Sequence, residues 1–290
     1  MTPTQYQLLK QLCRQACTGP QLGDALGITR AAVWKQVEQL RSMGLAIHSS
    51  DAGYQLPDGF HLLDAQTILN ELSGDVQQLC QAIQIYPSID STNKAMWQFP
   101  DQDRHGRVLL AEWQSAGRGR RGKQWYSPPC GNLYCALGWQ FDCGIGALGL
   151  LRTQVALAAA AAIEACYPVA IQLKWPNDLY LENKKLGGIL IELQATPDGP
   201  SSTVIGIGLN FHMPADAPID QAYTSLDRHI GLVNRNRICS ALIEQLITRL
   251  KTWPPPSPKS LLDEWRSKDL LHARQINLMD GEQITHGEYL

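Results

Sequence analysis

Residues 148–166 are the most apolar stretch of the chain, and the rest of the fold has to cover them. Arg152, Gln154 and Glu164 interrupt the stretch. It therefore predicts a helix buried in a protein core and not a membrane span, which needs about 20 predominantly apolar residues. Its alanine-rich middle, residues 156–162, is small-sided and lets a sheet approach closely. Strands to form that sheet read out at residues 82–86, 107–113, 133–139, 171–175, 189–191 and 203–209, with a last long helix over 234–250. This is the pattern of an α+β protein. At 290 residues the chain has room for one large domain or two to three modest ones. A net charge of -2 gives no global signal for nucleic acid, so any DNA contact must be local. Eight cysteines without a C-x-x-C pair read as reduced thiols, and the N-terminus lacks an apolar signal region. A cytoplasmic location with no membrane partner follows as the expectation.

The first 60 residues have a different grammar. Residues 3–17 read as a helix and residues 21–26 as a second one, stopped by Gly27. Thr29 can cap a third helix over 30–43, whose Val33, Val37 and Leu40 recur at helical spacing. A small hairpin follows, with Asp51-Ala52-Gly53 as its turn. Together these predict a winged helix-turn-helix over 1–60, with Arg30, Lys35, Gln36 and Arg41 as the polar groups available to a major groove. The competing reading is a small helical domain that only packs. Asp24, Glu38, Asp51 and Asp58 nearly balance the basic residues, and Ser49-Ser50-Asp51 makes a wing that is not basic. Pro57-Asp58-Gly59 signals a linker, and residues 61–80 read as a connecting helix.

Between the strands lies Ala116-Gly117-Arg118-Gly119-Arg120-Arg121-Gly122-Lys123. Its glycines let main-chain N–H groups approach a ligand, and its arginines and lysine suit carboxylate or phosphate oxygens. With little apolar material to pack it down, the loop is expected to be mobile when empty and ordered by an anion. Gly117, Gly119 and Gly122 spell the dinucleotide fingerprint, and Gly117 to Lys123 spell most of a phosphate-binding loop. Both motifs need a helix to start here. Gln124 follows the lysine where a Ser or Thr is required, and Pro128-Pro129 comes soon after, so neither applies. Asp90-Ser91-Thr92-Asn93 precedes a helical run, and taken alone its hydroxyls are helix caps before they are ligand contacts.

Four segments in order carry a family resemblance: Asp90-Ser91-Thr92-Asn93, the run from Ala111 through Gln114 to Gly122, Lys174-Trp175-Pro176-Asn177-Asp178, and Lys184-Lys185-Leu186-Gly187-Gly188-Ile189-Leu190. Together they resemble the bacterial biotin–protein ligases of the bifunctional type that also repress the biotin operon. The resemblance implies a winged helix-turn-helix over 1–60 and a catalytic domain over 61–271, a mixed β-sheet with helices like that of class II synthetases. It also implies only the opening of an SH3-like β segment over 272–290. It further implies that biotin is adenylated with ATP and Mg2+ and passed to a lysine of the biotin carboxyl carrier protein. Biotin would then be substrate and effector, with an adenylate-bound homodimer on operator DNA. On this resemblance Ser91, Thr92, Asn93 and Gln114 hold biotin, Arg118, Gly119 and Arg120 belong to the closing loop with Arg121 beside it, and Gly117 also contacts the substrate. Lys185 with Arg118 serves the reacting carboxyl and phosphate. Lys174, Gly188 and Asn210 line the substrate site, and Asp178 is the Mg2+ candidate. Two other readings stay open at this point, a biotin-responsive repressor with impaired turnover and a ligase for another acyl acid such as lipoate.

Overall fold

The computed structural model describes residues 1–195, 199–214, 216–280 and 283–289. Three helices open the chain: α1 (Pro3–Leu12), α2 (Gly19–Leu26) and α3 (Arg30–Ser42). Their starts are set by threonines. Thr2 and Thr18 make reciprocal caps with Gln5 and Gln21. Thr29 accepts from the Ala32 amide, the cap expected from the sequence. Gly27 ends α2 in the left-handed region at φ 66. The first helix is shorter than the 3–17 expected, because the Cys17 backbone turns away to exchange hydrogen bonds with Tyr54. Strands β1 (His48–Ser50) and β2 (Gly53–Gln55) pair antiparallel as the wing. Leu8, Leu9, Leu12, Leu22, Val33, Val37 and Leu40 form this module's core.

The predicted connecting helix is two short ones, α4 (Ala65–Asn70) and α5 (Gly74–Leu79), because Ser73 starts a new helix before Gly74. Then come β3 (Ala82–Tyr86), α6 (Thr92–Met96), α7 (Asp101–Arg104), β4 (Arg107–Ala111), β5 (Leu133–Phe141) and α8 (Leu151–Cys166). They are followed by β6 (Gln172–Lys174), β7 (Asp178–Leu181), β8 (Lys184–Ala195), β9 (Ser201–Leu209), α9 (Asp227–Ile230), α10 (Arg235–Leu250) and α11 (Pro258–Lys268). Strands β3 to β9 make one sheet in the order β3-β4-β5-β9-β8-β7-β6, in which only β3 and β4 run parallel.

The two faces of this sheet differ. Val108, Leu110, Leu133, Cys135, Leu137, Ile205, Ile207 and Leu209 meet α8 and α10 in the main core. Helix α8 is buried along its alanines, so the apolar segment Ile145–Cys166, long enough to cross a membrane, lies largely inside the protein. Burial pushes the Cys80 thiol up to about 11 and Cys135 up to about 12, which leaves those thiols unreactive. The opposite face carries a thinner layer, with Ala95 and Met96 of α6 on Leu109, Ala136 and Val204. At the end of the chain, β10 (Gln275–Asp280) and β11 (Gln283–Glu288) form an antiparallel hairpin. Residues 281, 282 and 290 of the expected SH3-like segment fall outside the described residues.

A buried ion pair ties the winged module's linker to the sheet. Glu112, fully enclosed just beyond β4, accepts from Arg235 Nη1 at 2.8 Å and from the Leu63 amide at 2.6 Å. Arg235 also donates to the carbonyls of His61 and Asn132. Cys130, from the segment just before β5, packs into the core of the winged module.

Candidate functional site

The thin face of the sheet is where the polar residues converge, and glycines explain why there is room. On β9, Gly206 and Gly208 face this side; a Cβ at Gly206 would lie 2.0 Å from Asn93 Oδ1, and one at Gly208 2.6 Å from the Trp125 ring. Gly188 on β8 meets the same indole, 3.1 Å from its would-be Cβ. Asn93 and Trp125 therefore lie almost flat on the sheet.

Pairing between the chain after β3 and the chain after β4 extends past both strands. Ile89 donates to Trp113 O, Ser115 to Ile89 O and Ala116 to Asp90 O. This registers the start of α6 against the start of the glycine-arginine loop. Ser91, Thr92, Asn93 and Gln114 are consequently all buried together. The Thr92 amide donates to Gln114 Oε1 at 2.9 Å and its hydroxyl to the same oxygen at 3.2 Å. Gln114 Nε2 donates on to Ser127 Oγ at 3.2 Å. The expectation that the hydroxyls of residues 91 and 92 serve first as caps is overturned. Ser91 sits at the N-cap of α6 without a side-chain cap bond, and the Thr92 hydroxyl points to Gln114.

Within the loop, Gly117 is required by close approach: a Cβ there would come 2.5 Å from Trp125 O and 2.6 Å from Ser127 Oγ. Gly119 donates to Lys123 O at 2.7 Å, closing a short turn in which Arg121 adopts φ 54 and Gly122 φ 74. Arg118 Nη1 reaches Glu192 Oε1 at 3.0 Å, and Arg120 Nη1 donates to Asn177 Oδ1 at 2.7 Å. Arg120 and Arg121 join Arg152 around a cleft of about 140 Å³ beside Ile189, Leu190 and Ile191.

Strands β7 and β8 supply the other cation. Lys185 Nζ pairs with Asp178 Oδ2 at 2.9 Å and stands 5.8 Å from the centre of the Trp125 ring. Lys174 stands over the Tyr180 ring, 5.6 Å from its centre, at the far edge of the sheet. Buried Asn210 donates to Thr224 O and receives the Leu226 amide on its own carbonyl. It fastens the segment between β9 and α9, whose Thr224 and Ala222 bond the Lys185 backbone. His212 and Asp227 close the base of that segment with a 2.5 Å hydrogen bond, which holds the imidazole above its ordinary range. Burial, then the charges of Asp216 and Tyr223, push the Tyr126 phenol up.

Trp125 is a candidate wall that the sequence reading passed over, and its indole N–H is buried without a partner among the described residues. For Mg2+, no group of three or more His, Cys, Asp or Glu side chains is placed to hold an ion among the described residues. Asp178, the Mg2+ candidate from the sequence, has its Oδ2 engaged by Lys185 Nζ and leaves Oδ1 as the oxygen open to an ion.

On the winged module, Arg30 and Lys35 are exposed on α3 and Gln36 is partly covered. Arg41 donates to Ile47 O and Ser49 Oγ and pairs with Glu38 at 2.7 Å, so its fork holds the wing in place. Trp34 is 58% exposed beside Lys35, an apolar group on the face that carries the polar candidates.

Taken together, a winged helix precedes a mixed sheet whose glycine-lined face gathers buried amide and hydroxyl groups between cations. That is the layout of a DNA-binding module carried by a small-molecule-activating domain. Residues 85–210 match the biotin/lipoate A/B protein ligase family, and residues 4–55 match an HTH domain. The chain is 32% identical over 273 residues to the bifunctional ligase/repressor BirA of Escherichia coli, covering 93% of this chain and 83% of that one. It is 34% identical over 180 residues to a biotin–[acetyl-CoA-carboxylase] ligase of Mycobacterium tuberculosis, covering 61% of this chain and 65% of that one. A biotin protein ligase from Aquifex aeolicus, solved with biotin and ATP, superposes with a TM-score of 0.61 at 25% identity, covering 72% of this chain and 86% of that one. The chain belongs to the family of bifunctional biotin ligase/repressors within the biotin/lipoate ligases.

Proposed function

We propose that this chain activates biotin with ATP as biotinyl-5'-AMP and transfers the biotinyl group to a lysine of a biotin carboxyl carrier protein. The observation that carries the reading is the pairing of a buried Thr92–Gln114–Ser127 hydrogen-bond network with two cations, Arg118 and Lys185, on one face of the sheet. Biotin has an apolar ring system with a single ureido group, so it calls for hydrophobic walls and a few fixed polar partners. Trp125 supplies a wall, and Ser91, Thr92 and Gln114 the polar partners.

The carboxylate of biotin and the α-phosphate of ATP repel each other as they approach. Lys185 and Arg118 offset that repulsion, and more strongly as charge builds in the transition state. The loop from Gly117 to Lys123 then excludes water from the mixed anhydride, and the acceptor lysine attacks the acyl carbon without an enzyme nucleophile. Mg2+, held by Asp178 with the triphosphate, would supply charge neutralisation at the leaving pyrophosphate.

The winged module adds operator binding, with Arg30, Lys35 and Gln36 facing the groove and an adenylate-loaded homodimer on a two-fold site. The test incubates the purified chain with ATP, Mg2+, biotin and a carrier domain, following pyrophosphate and carrier mass together. Stoichiometric pyrophosphate and a carrier heavier by one biotinyl group are expected. Pyrophosphate without carrier modification would leave a biotin-responsive repressor, and release of neither would sink the ligase reading.

A further inference from the structure

The arginine loop is made of residues that cannot pack it down, yet polar contacts tie it to the sheet at two points. Arg121, Gly122, Lys123 and Gln124 are exposed and contribute no apolar anchor. What holds the loop is polar: Arg120 on Asn177 at one end and Arg118 on Glu192 at the other. Glu192 is the more informative partner, because both of its oxygens are used. Oε1 faces Arg118 at 3.0 Å, and Oε2 accepts from Asn93 Nδ2 at 3.0 Å. Asn93 Nδ2 also donates to Leu190 O at 3.1 Å. The Asn93 amide is thus committed to β8, and its Oδ1 is pressed against Gly206. Asn93 fastens α6 to the sheet through Glu192, and Glu192 fastens the loop. The same arrangement recurs with Lys185, which pairs with Asp178 of β7. Arg118 and Lys185 each face a carboxylate from the adjoining strands.

We propose that Glu192 is the resident counter-ion of the glycine-arginine loop, a positioning residue that holds Arg118 over the cleft before any ligand anion arrives. The expectation of a loop loose until an anion comes changes accordingly: the anion is already present, supplied by the protein. The ligand then meets a guanidinium held near its working place, and less of its binding free energy goes into ordering the loop. The proposal rests on the biotin-ligase reading only for its kinetic consequence.

Glu192→Gln is the test, because the amide oxygen can still accept from Asn93 while the charge facing Arg118 is gone. In the ligand-free full-length chain, trypsin cleavage after Arg121 and Lys123, sites that both variants keep, should accelerate about 1.5- to fivefold, the range of a half-exposed ion pair. Arg118→Gln breaks the same pair from the solvent side and should release the loop equally, which keeps the test valid if the sheet variant folds poorly. The double variant should be cleaved no faster than either single one. In steady-state adenylation, Glu192→Gln should raise the KM for biotin and not lower kcat. Unchanged cleavage in both single variants, or additive effects in the double variant, would overturn the proposal. A freed loop in a chain that never activates biotin would refute the ligase reading and leave the counter-ion assignment standing.

Discussion

Gly206 and Gly208 are two residues apart on one strand and face the same side, yet substituting each by alanine should do different things. At Gly206 the new Cβ would fall 2.0 Å from Asn93 Oδ1 and 2.7 Å from Cγ. Asn93 cannot swing aside, because its amide is bound to Leu190 O and Glu192 and the residue lies inside α6. Relief requires moving the helix. Overpacking costs about 1–3 kcal/mol, and leaving one buried amide unpaired adds about 1–3 kcal/mol. A loss of roughly 2–6 kcal/mol corresponds to a melting point lower by on the order of 4–24 °C for a domain of this size. At Gly208 the Cβ would instead meet the Trp125 indole, 2.6 Å from Cε2 and 2.7 Å from Nε1. That ring belongs to the loop side of the cleft, so it can tilt away while the sheet stays intact. Gly208→Ala should melt within about 2 °C of the parent, by the same scaling. Its cost should appear in biotin affinity, weakened about 5- to 100-fold as the wall leaves its place. Differential scanning calorimetry and isothermal titration with biotin separate the outcomes. Equal melting points for Gly206→Ala and the parent, or parental biotin affinity in Gly208→Ala, would refute the close-packed reading of this face.

Other outcomes follow from particular contacts. Lys185→Ala should slow biotin-dependent pyrophosphate release about 100- to 1,000-fold, and unchanged release would remove Lys185 from the chemistry. Glu112→Ala strands the buried Arg235 charge and should cost about 3–5 kcal/mol in urea unfolding. The apolar pair Glu112→Met with Arg235→Met should recover most of that loss. The His212 imidazole is raised by its Asp227 hydrogen bond, against burial and, to a smaller extent, the Arg228 charge, which lower it. The contact's stabilisation is therefore full below about pH 6.5 and lost as pH rises through the folded value. Protease cleavage between residues 213 and 226 should quicken across that rise in the parent and show no such step in His212→Asn. Trp34→Ala should weaken binding to a duplex selected from a random pool about tenfold and spare binding to unselected DNA, whereas equal losses on both would exclude a base contact.

The parts of this molecule that local chemistry dictates were legible in the residues. Thr29 caps α3, Gly27 ends α2, Ala82–Tyr86 is β3, and the alanine-rich helix lies under the sheet. What depended on partners distant in sequence was not. Ser91 and Thr92 looked like caps because nothing local places Gln114, 22 residues from Thr92, against them. Glu192 stands 99 residues from Asn93 and reads locally as one polar residue in an apolar strand. The glycines of β9 acquire meaning only once register puts Trp125 and Asn93 on top of them. Arg41 reads locally as available to DNA because the Ile47 carbonyl and Ser49 hydroxyl that engage it lie beyond the end of α3.

The most direct measurement is exchange of labelled pyrophosphate into ATP by the purified chain without any carrier protein. Exchange that depends on biotin, is absent with lipoate in its place, and falls away in Lys185→Ala is the predicted result. Exchange supported equally by lipoate, or none with either acid, would contradict the assignment of this cleft to biotin activation.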